Sequence, residues 1–269
     1  MTIDPSEHWD RQAPTYADDE GHRGFGRFLD LYEESCWSHV QPLLPPSSTG
    51  VVLEAGCGAG RWVFRLAPLG YRLVLSDLSA EMIAHARQKV ERRALGDRVL
   101  GYHVRDICDM HPLPDDTFDL TLALGGPLTL CRDPGSAVSE FRRLTKPGGY
   151  VLCDAANRYR TALDLLQARR VDQLAAVLQT GRFSRPDGLT DQRFTPQELE
   201  ALFGDRALVV RSLVGVCPLF GFLPTQDEVR TLDHDAVWET MRGLARDHGA
   251  GRALASLSGR LLIVAQRPE

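Results

Sequence analysis

The chain has 269 residues, 43% of them hydrophobic and 25% charged. That balance fits a globular protein large enough to bury a core without disulfide staples, and it excludes a disordered chain. The net charge of −5 argues against a nucleic-acid substrate, because phosphates call for a basic face.

The N-terminal stretch MTIDPSEHWDRQ is polar and has no signal-peptide apolar region, and every apolar run is too short to span a bilayer. A cytoplasmic protein without membrane contact is expected. Residues 1–46 read as helical with breaks: a short helix over 6–11 and a longer one over 28–40. The longer one carries Glu33, Glu34, Ser35, Cys36, Trp37, Ser38 and His39. This is the densest group of acid–base side chains outside the glycine-rich stretch that follows. At ~100° per residue Ser35 and His39 share a face, whereas Glu34 is turned away from His39.

Val51, Val52 and Leu53 follow a turn-rich stretch and read as a short buried strand. Gly56, Gly58 and Gly60 come next, then a helical pattern with Trp62, Val63, Leu66 and Leu69, and then a second strand over 71–76 that ends in Asp77. Strand, glycine turn, helix, strand and acid make one βαβ half of a nucleotide-binding sheet. The turn lets a ligand approach the backbone and opens a helix N-terminus whose free N–H groups favour a negative group. The acid is placed to accept hydrogen bonds from two ribose hydroxyls.

A helix over 80–94 repeats Ile83, Ala86, Val90 and Ala94, with a solvated basic face of Arg87, Lys89, Arg92 and Arg93. Strands follow over 98–104 and 118–124, separated by a loop in which Pro112 and Pro114 suppress helix. Gly125 and Gly126 then leave room for close approach. Asp133-Pro134 starts a helix striped by Val138, Phe141 and Leu144, and Lys146-Pro147-Gly148-Gly149 leads into a fifth strand over 150–154. Residues 161–179 read as one amphipathic helix with Leu163, Leu166, Leu174 and Leu178, ended by Gly181 and followed by a polar loop. Thr195-Pro196-Gln197-Glu198 is a helix start with a capping box. A sixth strand over 207–216 is separated from a seventh over 260–265 by an insertion. The insertion opens on the apolar segment 217–224, which lines a substrate pocket or meets another subunit, and continues with a helix over 236–247.

The glycine spacing is not that of a dinucleotide fold, since G-x-G-x-x-G would need glycine where Arg61 stands. Glu54-Ala55-Gly56-Cys57-Gly58-Ala59-Gly60 instead resembles motif I of the class I S-adenosylmethionine-dependent methyltransferases. Asp77-Leu78-Ser79 with Met82 resembles the family's ribose segment, and Arg105-Asp106-Ile107 its adenine segment. The resemblance implies an α/β fold with a doubly wound, seven-stranded, mostly parallel sheet of order 3-2-1-4-5-7-6, strand 7 antiparallel. It implies a helical N-terminal lid over 1–46 and a core over 47–269, with helical insertions after strands 5 and 6 at about 158–200 and 217–258. Trp9-Asp10-Arg11-Gln12-Ala13-Pro14-Thr15-Tyr16 is similar to the family's lid segment, although a plain surface helix would also carry these residues. The implied cofactor is S-adenosyl-L-methionine, leaving S-adenosyl-L-homocysteine, with Tyr16, Glu54, Ala55, Gly56, Gly58, Gly60, Asp77, Leu78, Met82, Asp106, Ile107 and Leu124 as its binding residues. The backbone after Leu124 would face both the methionine part and the substrate.

A sulfonium methyl is already activated, so the protein's task is chiefly to align the acceptor. If a proton must leave, His39, Glu34 and Tyr16 are the candidate catalytic residues, with His8 behind them. His39→Ala is then expected to lower turnover. No metal knuckle is spelled by the six cysteines, and activity in chelator is expected. The acidic balance and apolar insertions point to a small-molecule acceptor, a metabolite or natural product with an indole-like carbon, nitrogen or oxygen, bound by a monomer or homodimer. A tRNA substrate, met by Arg158, Arg160, Arg169, Arg170, Arg182, Arg185 and Arg193, is the alternative. A catalytically inactive binding protein of the same fold and a dehydrogenase come after it.

Overall fold

A computed structural model describes residues 4–17, 27–47, 49–216, 234–248 and 251–269. Two N-terminal helices, α1 (Pro5–Ala17) and α2 (Arg27–Val40), precede the sheet. Then come β1 (Val51–Ala55), a single helical turn α3 (Val63–Leu66), β2 (Arg72–Asp77), α4 (Ala80–Arg92), β3 (Val99–Val104) and β4 (Phe118–Ala123). A short α5 (Pro127–Leu130), α6 (Pro134–Leu144) and β5 (Thr145–Ala156) complete the parallel part. The cap consists of α7 (Arg158–Gln167), α8 (Val171–Thr180), β6 (Arg182–Ser184), β7 (Thr190–Gln192) and α9 (Pro196–Gly204). β8 (Val209–Val216), helices at Asp235–His248 and Arg252–Ala255, and β9 (Arg260–Gln266) close the chain.

Seven strands form one sheet in the order β3-β2-β1-β4-β5-β9-β8. Pairs from β3 to β5 are parallel, and β9 runs antiparallel to both β5 and β8. This is the doubly wound architecture that the motif order implied, with β8 and β9 as its sixth and seventh strands. The period-2 alternation of each strand feeds two cores. Val52, Leu73, Leu75, Leu122, Leu152, Leu262 and Val264 face α2 and α4, whereas Leu53, Ala55, Val151, Cys153, Leu261 and Ile263 face α6 and α9. Strand order reverses between β1 and β4, and ligands of such sheets bind at the carboxyl ends beside that point.

Two expectations about the cap are corrected. The stretch read as one helix over 161–179 is two, because Arg169 adopts φ 56 and the chain turns between α7 and α8. The buried apolar positions are Ala162, Leu165 and Val177, whereas Leu166 and Leu178 are exposed. The polar loop after Gly181 contains the hairpin β6–β7, with Phe183 opposite Asp191. The apolar segment 217–224 lies outside the described residues.

Candidate cofactor and active site

A cavity of about 730 Å³ opens at the carboxyl ends of β1, β2 and β4. Its size suits a nucleoside together with a small second molecule. The glycine turn forms its floor. The N–H groups of Gly56 and Cys57 both donate to the Ser76 carbonyl, at 2.8 and 2.9 Å. This ties the turn to the end of β2. Gly58 donates its N–H to Asp77 Oδ2 at 2.8 Å, and Ser79 donates to Oδ1 at 3.0 Å. The Asp77 carboxylate is thus fixed at the cavity wall. Burial raises its pKa against the pull of these two N–H groups, so further donors from a ligand would be welcome there.

Glu54 has a different task from the one its motif position suggested. It is buried and accepts hydrogen bonds from the N–H groups of Arg61, Trp62 and Val63 at 3.2, 3.0 and 3.1 Å. The N–H groups that lead into α3 are therefore occupied by the protein's own carboxylate and are not offered to a ligand. Desolvation pushes Glu54 up to about 7, against those three bonds.

α1 borders the cavity through Pro5, Trp9 and Tyr16. Asp10 accepts from the Ser79 hydroxyl at 2.5 Å and from the Glu81 N–H at 3.3 Å, and so reinforces the cap of α4. Ala13 is buried against Ala59 and Met82. Trp9 and Tyr16, packed edge to face at 6.4 Å, line the cavity, and the Tyr16 carbonyl accepts from Lys89 Nζ at 3.3 Å. At the opposite end, Asp106 and Ile107 line the wall beside Cys131. Asp106 is held there by the Cys108 N–H at 2.9 Å and by Arg132 at 3.3 Å.

Tyr16, Glu54, Gly56, Gly58, Gly60, Asp77, Leu78, Met82, Asp106, Ile107 and Leu124 all meet at this cavity. Ala55 does not line it, since its side chain is buried in the core on the α6 and α9 face. The fit to an adenosine with an amino-acid tail is good. A fixed carboxylate faces the space where a sugar would lie. A side chain at Gly58 would meet nothing within 4 Å, so the space beside it is free for a ligand. Among the described residues no cluster of three or more His, Cys, Asp or Glu could hold a metal.

The candidate bases are distributed differently. Glu34 points out to Arg65 at 2.9 Å, His39 is not among the residues lining the cavity, and burial pulls the His39 pKa down. His8 packs on the Trp9 edge and pairs with Asp187 at 3.6 Å. The acids of α2 that do line the cavity are Asp30 and Glu33, one helical turn apart. Glu33 stands 3.5 Å from Arg61, and its pKa is raised by burial while Arg61 pulls it back. Glu33 lies i+4 from Leu29, i+3 from Asp30 and one residue from Tyr32, whose burial fixes the inner face of α2. Without that orientation Glu33 and Glu34 look alike.

Residues 53–153 match the methyltransferase domain family. Over 149 residues the chain is 36% identical to a malonyl-[acyl-carrier protein] O-methyltransferase of Yersinia pestis; the match covers 55% of this chain and 52% of that protein. A protein of the same name from Pectobacterium atrosepticum is 29% identical over 78% of this chain and 81% of its own. The chain thus spans about half the length of the first relative and most of the second. tRNA methyltransferases are also among its relatives. In fold, it superposes on geranyl diphosphate C-methyltransferase from Streptomyces coelicolor, solved with S-adenosyl-L-homocysteine, with TM-score 0.59 and 18% identity over 93% of this chain and 85% of that one. The fold is therefore that of the class I, S-adenosylmethionine-dependent methyltransferases, and residues 53–153 match a methyltransferase domain.

Proposed function

We propose that this protein transfers a methyl group from S-adenosylmethionine to a small-molecule acceptor. When bound, that cofactor supplies an already activated sulfonium methyl. The protein's part is to bind and align. Asp77 accepts the sugar hydroxyls, the Gly56–Gly58 turn leaves room for the amino-acid end, and α1 excludes water through Trp9 and Tyr16. Asp30 and Glu33 on α2 then face the acceptor. Glu33, raised by burial and restrained by Arg61, is suited to take up an acceptor proton.

One observation carries the small-molecule reading: four of the seven arginines that an RNA would need are consumed within the cap. Arg158 pairs with Glu198 at 2.7 Å, Arg160 with Asp164 at 2.6 Å, Arg185 with Asp187 at 2.6 Å, and Arg193 with Asp191 at 2.6 Å. Such paired groups release few counterions on meeting a phosphate backbone. A narrower reading is favoured by the Pectobacterium match, which extends over 78% of this chain and so beyond the domain into the cap. A carboxylate acceptor such as a malonyl thioester is already an anion, and it would need none of the histidines that stand outside the cavity.

Methyl-tritiated S-adenosylmethionine distinguishes these. Label is expected in an RNase-treated small-molecule extract or in malonyl-coenzyme A, and none in total tRNA at low salt. Label in tRNA alone would overturn the proposal.

A further inference from the structure

Asp154 is a charged residue that the alignment of cofactor parts leaves without a task. It sits near the carboxyl end of β5 and is fully buried. One oxygen, Oδ1, accepts the N–H groups of both Gly125 and Gly126, at 3.0 and 2.9 Å. The other, Oδ2, accepts the hydroxyl of Tyr32 at 3.0 Å and the Nε–H of Arg260 at the start of β9. Of these donors Gly125 itself lines the cavity, and Tyr32 belongs to a helix that lines it. Gly125, with Leu124, Pro127 and Leu130, lines it from the β4 side. Tyr32 is on α2, whose Leu29, Asp30 and Glu33 line the opposite side. Arg61, another lining residue, lies over the Tyr32 ring at 6.0 Å.

From this geometry we infer that Asp154 is a positioning residue for methyl transfer: one buried carboxylate fixes the separation of the two walls between which the acceptor lies. The inference rests on the methyl-transfer reading of the cavity. The division of labour between the oxygens gives it a signature. Oδ1 holds the lip after β4, which also borders the space expected for the cofactor. Oδ2 holds α2, which does not carry any of the motif residues. Loss of the Tyr32 hydroxyl therefore loosens the acceptor wall alone. Loss of the whole carboxylate loosens both.

Amide hydrogen exchange and S-adenosylhomocysteine titration on the full chain test this. In Tyr32→Phe, amides of 29–36 are expected to exchange at least tenfold faster, with those of 125–131 unchanged and S-adenosylhomocysteine affinity within twofold of the parent. In Asp154→Ala both segments speed up, and affinity falls at least tenfold. Asp154→Asn keeps an oxygen for the glycine N–H groups, and should restore protection of 125–131 and most of the affinity while α2 stays loose. A general loss of stability would speed the β1 and β2 amides together with the rest, in all three variants, and would overturn the inference. So would unchanged exchange in α2 of Tyr32→Phe. Absence of S-adenosylhomocysteine binding in the parent would instead count against the methyl-transfer reading, and the exchange pattern would still decide the role of the carboxylate.

Discussion

Replacing Gly58 by alanine separates a folding role from a binding role. Gly58 has φ +54, and a Cβ built on it meets nothing within 4 Å. The left-handed conformation costs an alanine about 1–2 kcal/mol. In a chain of this length that is a melting-temperature loss of about 2–8 °C. The methyl would enter the cavity, in the space assigned to the cofactor, where overpacking costs about 1–3 kcal/mol, so S-adenosylhomocysteine should bind roughly 5- to 150-fold more weakly. Gly56 is the control. Its φ is +73, and its Cβ would lie 2.6 Å from Pro127 Cβ, so Gly56→Ala forces the turn against α5. Backbone and clash costs together come to about 2–5 kcal/mol of stability. Thermal melts and calorimetric titration with S-adenosylhomocysteine read both effects. Gly58→Ala should melt only about 2–8 °C below the parent yet bind poorly, and Gly56→Ala should melt well below both. Parent-like binding by Gly58→Ala would refute the assignment of that space to the cofactor.

Further variants probe the surrounding elements. Because Glu54 is raised to about 7 in the fold from an ordinary 4.5, the native state holds more protons than the unfolded chain between these values. Stability should therefore fall as pH rises from about 4.5 to about 7, and Glu54→Gln should flatten that slope in denaturant titrations; a slope of opposite sign would contradict the burial argument. Glu33→Gln should lower methyl transfer to the accepted substrate without weakening S-adenosylhomocysteine, whereas His39→Ala and Glu34→Ala should leave both unchanged. Rate assays showing the reverse order would return the catalytic role to the outer face of α2. Asp10→Ala removes the anchor between α1 and Ser79, a loss of about 1–3 kcal/mol, and should speed exchange or proteolysis in α1 while the sheet amides stay protected.

The sheet was readable because its information is local. Apolar runs, glycine turns and acids recur at fixed offsets, and each strand alternates between two cores. The stretch from Trp9 to Tyr16 is tied to α4 and the glycine turn, with Asp10 at a helix cap and Ala13 against Ala59 and Met82. What escaped depended on facing. Nothing in Ala168-Arg169-Arg170 announces a left-handed residue, so one helix stood for two. Glu33 and Glu34 differ only in which side of α2 they occupy, and that is set by Tyr32 reaching Asp154 122 residues away. Glu54 reads as a ligand group by motif, yet it accepts the N–H groups of the turn that it precedes. The cap arginines read as a basic face until their acidic partners, brought in from α9 and the β6–β7 hairpin, are seen beside them.

Calorimetric titration of the parent chain and Asp77→Ala, each with S-adenosylhomocysteine and with NAD, bears most directly on the claim that a sulfonium nucleoside is held at the carboxyl edge of the sheet. Each of two sugar hydroxyls on a charged acceptor contributes about 1.5–3 kcal/mol, so the variant should bind S-adenosylhomocysteine at least about 100-fold more weakly, and NAD should bind neither protein. Equal affinity in parent and variant, or binding of NAD in place of S-adenosylhomocysteine, would contradict it.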